Sequence, residues 1–330
     1  MTAGACRDYA LKFQLSDWTV FSATLPLQIK SMRVAARMIP EIDPGPPAEL
    51  LAAGSQGFLV RALPISESLS PIGLAGDYLR YVQQQYRHCI IDFRLSFEEY
   101  QKKFSSKTRS TIIRKLRKFA EHSGGTPCWK TYRTVEELRA FHPLAREVAK
   151  KTYQEKLLDA GIPESESFVR GMESLAAQDQ VRAYLLFDRE RPVSYLYCPV
   201  EDGTLIYDYL GYDPDYMKLS VGTVLQWLAV EQMFGEGCFR YLDFTEGESD
   251  HKRLFATHET LCANVLFLRN TPRNRILAHS HWWTGRFSGW LGNTLDRFGL
   301  KAKVKKILRF KRLSSVGAGC EAAIINPAPK

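Results

Sequence analysis

Long apolar runs are absent from this sequence of 330 residues, and none approaches the roughly 20 residues that a membrane-spanning helix needs. The first residues, MTAGACRDYALKF, lack the charged-then-apolar order of a signal peptide. Neither an internal repeat nor a low-complexity tract is present. Apolar residues make up 45% of the chain and charged residues 25%, which is ordinary for a globular protein. We therefore expect a globular cytoplasmic protein with one large domain or two modest ones.

Cysteine is also sparse in this chain. The seven cysteines are scattered, their number is odd, and no two of them form a CxxC pair. This pattern argues against a disulfide framework and a zinc site, and it favours reduced thiols in a cytoplasm. The histidines outside position 251 show no spacing typical of metal ligands. We therefore expect no metal in this protein.

The net charge of +9 is concentrated near the end of the sequence. Residues 272–312 hold eleven lysines and arginines and one acid, Asp296, so the rest of the chain is close to neutral. Basic amphipathic helices that carry tryptophan lie on anionic membranes. One interpretation of this tail is therefore peripheral contact with an anionic membrane. The alternative is a helix that packs on the domain and turns a basic face outward.

A second basic run extends from Lys102 to Lys118. Apolar residues recur within it at helical spacing, so half of the helix is expected to pack against the domain. The remaining cations then form a solvated face, and we expect no specific DNA binding. A role for Lys107 and Arg109 toward an anionic substrate stays open.

Periodicity predicts a mixed α/β fold: a mostly antiparallel sheet with helices on both faces. Residues 1–95 contain strand patterns around a loop rich in proline and glycine, and they suggest a partial N-terminal α/β lobe. Residues 96–270 form the main domain, and residues 271–330 form the basic helical tail. From Val135 onward the predicted order is two helices, three antiparallel strands, a helix, a strand, a short helix and a strand.

The stretch DPDYMKLSVGTVLQW joins a predicted strand to a predicted helix. Free backbone amides and the helix dipole make such a turn favourable for an anion. Lys218 adds a cation, Ser220 adds a hydroxyl, and Gly222 lets a ligand approach the backbone closely. Taken alone, the pattern favours simple helix capping, because many helices begin with a serine and a nearby glycine.

The order of elements adds weight to the anion site. Residues from about 90 to 268 resemble the GNAT acyltransferase superfamily, and within it the CelD branch of cellulose-biosynthesis-type acetyltransferases. The resemblance rests on SFEEYQKKFSSKTRSTIIRKLRKF, YDYLGYDPDYMKLSVGTVL and YLDFTEGESDHKRLFAT and on their spacing. This branch is also similar to one lobe of the Fem-type aminoacyl transferases, so residues 1–95 could be a degenerate half lobe.

The resemblance implies that acetyl-CoA, or another acyl-CoA, is the co-substrate. Strand 204–211 is then expected to splay from strand 239–244, with the thioester carbonyl held in the gap by an amide near Leu210. The turn from Lys218 to Thr223 is expected to cradle the pyrophosphate. The implied cofactor-binding residues are Leu210, Gly211, Lys218, Leu219, Ser220, Val221, Gly222 and Thr223.

The segment LDFTEGESDHK supplies the titratable groups that acyl transfer requires. Asp243 or Glu246 is expected to accept the proton of the nucleophile. His251 is an acid or base by type, because its ordinary pKa is near 6.5. The family pattern has Tyr-Lys where this chain has His251 and Lys252. Lys252 matches that pattern and could hold a carboxylate or hydroxyl of the substrate.

The function expected from the sequence is transfer of an acyl group to an amine or hydroxyl. The acceptor would be a sugar, a cell-envelope precursor or a small metabolite. Two alternatives stay open: a non-catalytic protein that kept the fold and binds a membrane or polysaccharide assembly, or a Fem-like transferase that uses aminoacyl-tRNA. The acceptor itself cannot be read from the sequence.

Overall fold

A computed structural model describes residues 6–15, 18–32, 34, 44–152 and 161–297. Within these ranges the strands join into one twelve-stranded sheet with helices packed against it. The predicted mixed, mostly antiparallel α/β fold is therefore confirmed. The strands are β1 Cys6–Leu15, β2 Trp18–Ser31, β3 Gly57–Pro64, β4 Ile72–Ala75, β5 Tyr78–Asp92, β6 Cys128–Tyr132, β7 Val181–Asp188, β8 Arg191–Glu201, β9 Thr204–Ile206, β10 Tyr209–Tyr212, β11 Tyr241–Asp243 and β12 His258–Arg269.

The strands follow the order β1-β2-β3-β12-β5-β11-β9-β8-β7-β6, while β10 pairs with β8 and β4 pairs with β5. Among the described strands, the pairs β2–β3 and β9–β11 are parallel and the others are antiparallel. The parallel pair β9–β11 requires a crossover, which is supplied by the helix that follows β10. That helix therefore begins beside the place where β9 and β11 end.

Seven helices accompany the sheet within the described residues, and capping residues mark several of their ends. The side chain of Thr134 accepts from the Glu137 amide in a capping box, and Gly124 ends the basic helix in a left-handed conformation. Two helices follow Ser96, because the first ends at Lys102 and Ser105 caps the second. The helices are α1 Phe97–Lys102, α2 Ser106–Ser123, α3 Val135–Ala149, α4 Glu166–Ala177, α5 Val221–Glu236, α6 Asp250–Phe255 and α7 Pro272–Arg297.

Alternating side chains of the central strands build two separate cores. On β7, Tyr184 and Leu186 pack into the core under α1, α2 and α5. The intervening Ala183 and Leu185 pack into the core under α3 and α4. Helices therefore cover both faces of this part of the sheet, as predicted.

The N-terminal region, expected as a degenerate half lobe over residues 1–95, shares its sheet with later strands of the chain. Its strand β5 lies between β11 and β12, and β3 pairs with β12. Hydrogen bonds of the backbone thus join this region to residues far along the chain, and the sheet is not interrupted at residue 95. The periodicity of a sequence carries no signal for pairing between distant strands, so it did not predict this shared sheet.

The basic tail begins as helix α7, which packs on the N-terminal strands through its first half. Ala278 is fully buried against residues of β1, β3 and β5, and the rings of His281 and Tyr81 are in contact. This part of the tail is an integral element of the fold. Residues 298–312 of the predicted basic segment lie outside the described residues. Within the described residues, no helix has the length and apolarity needed to cross a membrane.

Candidate active site

The strands β9 and β11 separate at a bulge. Leu205 pairs with Val200 of β8, and Tyr209 pairs with Tyr197 of β8. Between these two pairs the chain has three residues, 206–208, whereas β8 has only two, so one residue is extra. The Tyr207 amide still donates to the Asp243 carbonyl over 2.8 Å. The next strand, β10, pairs with β8 and with no other described strand, so it is not paired with β11. The predicted split between strands 204–211 and 239–244 is therefore present beyond Tyr207, while Thr204–Ile206 and Tyr241–Asp243 remain paired.

The hydrogen-bond pattern between β8 and β10 shows which backbone amide of β10 points into this gap. The Asp213 amide donates to the Val193 carbonyl over 2.9 Å. Alternation in an antiparallel ladder turns the amides of Gly211 and Tyr209 the same way, toward β8, and turns the Leu210 amide away. Leu210 thus has the orientation expected for an oxyanion donor. Gly211 has a packing role, because a Cβ there would lie 2.5 Å from the Tyr195 ring.

The turn after β10 ends in a helix N-terminus without a side-chain cap. A short 3₁₀ helix, Pro214–Leu219, leads into Ser220, which has the left-handed φ of 55°. Ser220 makes no capping hydrogen bond through its side chain, while its carbonyl accepts from the amides of Thr223 and Val224. The amides of Val221 and Gly222 have no acceptor within the helix. The capping interpretation of Ser220 is therefore wrong, and the end of α5 is open to an anion.

Cations from the basic helix α2 converge on this turn. Lys118 Nζ donates to the Lys218 carbonyl over 3.1 Å, and Lys115 Nζ donates to Thr223 Oγ1 over 3.4 Å. The side chain of Lys218 itself is exposed. A Cβ on Gly222 would reach 3.4 Å from the Tyr212 ring, so that aromatic side chain bounds the approach to the turn.

The remaining predicted residues of the turn are divided between core and surface. Val221 is fully buried in the core beneath α5, and Leu219 packs against the same core. These two side chains therefore anchor the turn, and its ligand-facing groups are backbone amides and cations. Lys107 and Arg109 lie further toward the start of α2, where Arg109 lines a cavity of about 400 Å³ with Trp227.

Asp243 is paired with a histidine that the sequence analysis set aside. His88 Nε2 donates to Asp243 Oδ1 over 2.7 Å, and the same oxygen accepts from the Thr245 amide over 2.7 Å. Both side chains are buried. Nothing in the sequence links position 88 to position 243; the antiparallel pairing of β5 with β11 brings them together.

The loop that follows β11 runs along the edge of β5. The Phe244 amide donates to the Cys89 carbonyl, and the Arg87 amide donates to Glu248 Oε1 over 2.7 Å. Glu248 is therefore a loop anchor rather than a charge at a helix N-terminus. Lys252 Nζ donates to the Glu246 carbonyl over 2.7 Å, and burial lowers the pKa of Lys252. The Glu246 side chain remains exposed.

His251 lies on the short helix α6, within the electrostatic influence of Lys115, the lysine that reaches Thr223. Its ring contacts Phe255, and burial together with the positive charge of Lys115 lowers its pKa to about 4. The imidazole is therefore neutral near pH 7, and its remaining N–H is too weak an acid to protonate a leaving thiolate. The role of His251 as an acid, which its residue type suggested, is not supported by this environment.

Asp208 is a second residue that sequence reasoning missed. It lies in the bulge where β9 leaves β11, and its amide donates to the Tyr197 carbonyl over 3.3 Å. Burial, with a smaller contribution from Glu201, raises the pKa of Asp208 although part of its surface stays exposed. A more basic carboxylate at the mouth of the gap is a candidate proton acceptor. Within the described residues, no cluster of three His, Cys, Asp or Glu could hold a metal.

The family comparison agrees with this geometry. Residues 106–253 match the family model of the acetyltransferase (GNAT) domain. The matched region includes α2, the strand split, the turn before α5 and the loop after β11. It supports acyl transfer as the general class of activity, and it names neither an acyl group nor an acceptor. No curated protein matches this sequence.

Several solved structures are similar to this chain at low identity. FemX has 11% identity and a TM-score of 0.45, with 68% of this chain and 75% of that chain covered. L-PGS from Bacillus licheniformis has 11% identity and a TM-score of 0.41, with coverages of 67% and 71%. The PaiA N-acetyltransferase from Thermoplasma acidophilum, in complex with coenzyme A, has 13% identity and a TM-score of 0.26, with coverages of 42% and 98%.

Proposed function

We propose that this protein transfers an acyl group from acyl-CoA, acetyl-CoA in the first instance, to an amine or hydroxyl. One observation carries the proposal: the chain leaves β11 after β9 and Tyr207, and its continuation β10 leads to an uncapped helix N-terminus flanked by lysines. The gap suits a thioester, and the helix end suits its pyrophosphate. The family match over residues 106–253 supports the same activity.

The reaction takes place in a ternary complex. Glu246, the exposed carboxylate of the loop, accepts a proton from the amine or hydroxyl as its nitrogen or oxygen bonds to the thioester carbon. The Leu210 amide donates to the oxyanion of the tetrahedral intermediate. The intermediate then collapses, the carbon–sulfur bond breaks, and the thiolate takes up the proton. Asp243 and His88 hold the loop, while Lys252 fixes its backbone at Glu246 and His251 stays neutral.

The acceptor is a sugar, a cell-envelope precursor or a small metabolite, as expected for the CelD branch in polysaccharide biosynthesis in the cytoplasm. A Fem-like transferase would instead take its acyl group from aminoacyl-tRNA, and a non-catalytic protein would bind neither donor. The cations on α2 that meet the α5 turn favour a compact phosphorylated donor. The three alternatives differ in the ligand they predict for one site, so a binding experiment separates them.

The experiment is isothermal calorimetry with acetyl-CoA, coenzyme A and aminoacyl-tRNA, followed by assay of free thiol release. Saturable binding of acetyl-CoA supports the proposal, and ligand at about 100 times its Kd should stabilise the native state by about 2.7 kcal/mol. Binding of tRNA without acetyl-CoA would transfer support to the Fem-like alternative. Binding of neither donor would leave the non-catalytic one.

The tail contributes peripheral contact with anionic lipid. The second half of α7 exposes aromatic side chains at helical spacing: Trp283 is 60% exposed, Phe287 52% and Trp290 60%. Arg286 lies in the same stretch and stacks on Trp282. Aromatic groups combined with cations are typical of helices that lie at a membrane surface. We therefore combine the two interpretations of the tail: its first half packs on the sheet, and its second half meets the membrane.

A further inference from the structure

A polar cavity lies outside the strand split, between β1 and the centre of the N-terminal sheet. Its volume is about 520 Å³, which is within the range of pockets that bind small molecules. Polar groups dominate its wall, and Glu246 of the loop after β11 forms part of it. The residues that the argument uses are Lys12, Arg61, Gln83, Gln84, Glu246 and Asn264.

Asn264 on β12 is flanked by irregularities in both neighbouring strands. On β3, Arg61 and Ala62 lie between the pairs Leu63–Ala263 and Val60–Val265, where β12 contributes Asn264 alone. On β5, Gln83 is the extra residue between the partners of Asn264 and Val265. Two bulges therefore face each other across one asparagine. Bulges commonly occur beside functional sites, because they redirect side chains.

The amide groups of this cavity are held in defined orientations. Asn264 Oδ1 accepts from the Ala62 amide over 2.9 Å, which turns its Nδ2 into an available donor. Gln83 Oε1 accepts from the hydroxyl of Tyr9 over 3.2 Å, which orients its Nε2 in the same way. Gln84, one residue further on, is exposed at the cavity wall. Carboxamides of this kind bind hydroxyl groups well, since they offer both donors and acceptors.

Charged side chains of both signs line the cavity. Lys12 and Arg61 lie on β1 and β3, and Glu246 lies on the catalytic loop. His281, also in the wall, adds no charge near pH 7 because burial lowers its pKa. Lys12 and Arg61 therefore supply two cations that can stabilise a negatively charged substituent of a ligand.

The same face of β5 connects this cavity to the catalytic loop. Gln84, Tyr86 and His88 alternate onto one face, and His88 bonds to Asp243. The step from Gln84 to His88 is four residues, about 13 Å at the rise of a strand. A ligand of the size of one or two sugar rings would extend from the amides to Glu246.

We propose that this cavity is the acceptor site and that the acceptor is a polyhydroxylated molecule with a negative charge, such as a sugar that carries a phosphate or a carboxylate. The inference rests on the proposed function, and it narrows the acceptor to one chemical class. The hydroxyl or amine that is acylated lies at the Glu246 end, and the anionic group lies at the Arg61 end.

The test measures binding of four probes to the full chain by saturation-transfer NMR and calorimetry: methyl glucoside, glucose 6-phosphate, glucuronate and inorganic phosphate. Wild-type protein should bind the two anionic sugars at least tenfold more tightly than methyl glucoside or inorganic phosphate. Whichever anionic sugar binds more tightly identifies the charged group. Arg61→Ala should remove the preference for anionic sugars, and Gln84→Leu should weaken binding of every sugar. Both side chains are exposed, so neither change threatens the fold.

Arg170→Ala, on the surface of α4, is the matched control and should change nothing. Acetyl-CoA binding is measured on every variant and should remain as in wild type. Its absence in wild type would contradict the proposed function. Normal acetyl-CoA binding without sugar binding, or with sugar binding unaffected by Arg61→Ala and Gln84→Leu, would overturn the acceptor site alone.

Discussion

His88 donates a hydrogen bond of 2.7 Å to Asp243, and both side chains are almost fully buried in the sheet. The pair joins β5, a strand of the N-terminal region, to β11, the strand that precedes the loop carrying Glu246. The same carboxylate oxygen accepts from the Thr245 amide, so the pair fixes the first turn of that loop. We therefore predict that Asp243 positions Glu246, which is exposed on the same loop.

Replacing Asp243 with asparagine should lower both stability and turnover. A hydrogen bond to a carboxylate contributes about 1.5–3 kcal/mol, and the loop that carries Glu246 loses part of its anchor when the carboxylate is removed. We expect a lower melting temperature together with a reduced kcat. Lys252→Ala, which removes the contact to the Glu246 carbonyl, should reduce kcat with a smaller change in melting temperature. An Asp243→Asn protein with wild-type melting temperature and kcat would contradict the positioning role.

Replacing Glu246 with glutamine should reduce kcat by about 10²–10⁴-fold, the usual cost of losing a general base. The melting temperature should hardly change, because the side chain is exposed. Steady-state release of thiol measures the effect, and Glu190→Gln on the exposed β7–β8 turn is the control. If Asp208→Asn produces the large loss and Glu246→Gln does not, the base is the carboxylate in the bulge.

An aspartate at Gly222 should abolish coenzyme A binding. The added carboxylate places a negative charge at the uncapped end of α5, the proposed site of the phosphates, and its Cβ fills space beside Tyr212. Gly235→Asp introduces the same group near the other end of the same helix, where no atom lies within 4 Å of the new Cβ. Calorimetry should show wild-type affinity for the second variant. Equal affinity in both variants would mean that the turn does not hold the cofactor.

Removing Lys115 or Lys118 should weaken coenzyme A binding by tenfold or more. A hydrogen bond to a charged group contributes about 1.5–3 kcal/mol, and both ammonium groups already reach the turn. Lys102→Ala, on α1 in a pair with Glu98, is the control. The difference between wild type and variants should shrink as salt rises. Unchanged affinity in Lys115→Ala and Lys118→Ala would mean that these lysines do not contribute to coenzyme A binding.

The stability of the protein should fall between pH 6.5 and pH 4 in a way that depends on His251. Its folded pKa is about 4, below the ordinary 6.5, so the unfolded chain binds a proton more readily in this window. Stability therefore rises with pH through the window and is lost as pH falls. Chemical unfolding of His251→Asn should show a free energy of unfolding that varies less with pH than in wild type. The contributions of the other acidic groups are the same in both proteins, so they cancel when the two profiles are subtracted. Parallel profiles for the two proteins would contradict the shifted pKa.

The exposed aromatic groups of α7 should bind vesicles that contain anionic lipid. Trp283→Ser with Trp290→Ser should reduce co-sedimentation without a change in melting temperature, because both side chains are exposed. Trp282→Ser is the control, since Trp282 packs against the N-terminal core and its loss should reduce stability instead. Equal sedimentation of wild type and the double variant would show that the tail does not bind lipid through these groups.

The sequence by itself determined the elements whose cause is local. The Thr134–Glu137 box, the glycine at position 124 and the alternation of β7 and β8 each act within a few residues, so they specify helix ends and strand faces directly. The strand–turn–helix order around Gly222 indicated the anion turn for the same reason, and the family pattern indicated the gap beside Leu210. These residues form one site because they are close along the chain.

Only the tertiary structure decided which distant groups meet. The pairing of β5 with β11 joins His88 to Asp243, and the packing of α2 on α5 brings Lys115 and Lys118 to the turn. Burial, which no residue type specifies, raises the pKa of Asp208 and lowers that of His251. The cavity proposed for the acceptor depends on two bulges, on β3 and β5, that flank Asn264 of β12. Register between strands is set by contacts across the whole sheet, and a single sequence carries no local signal for it.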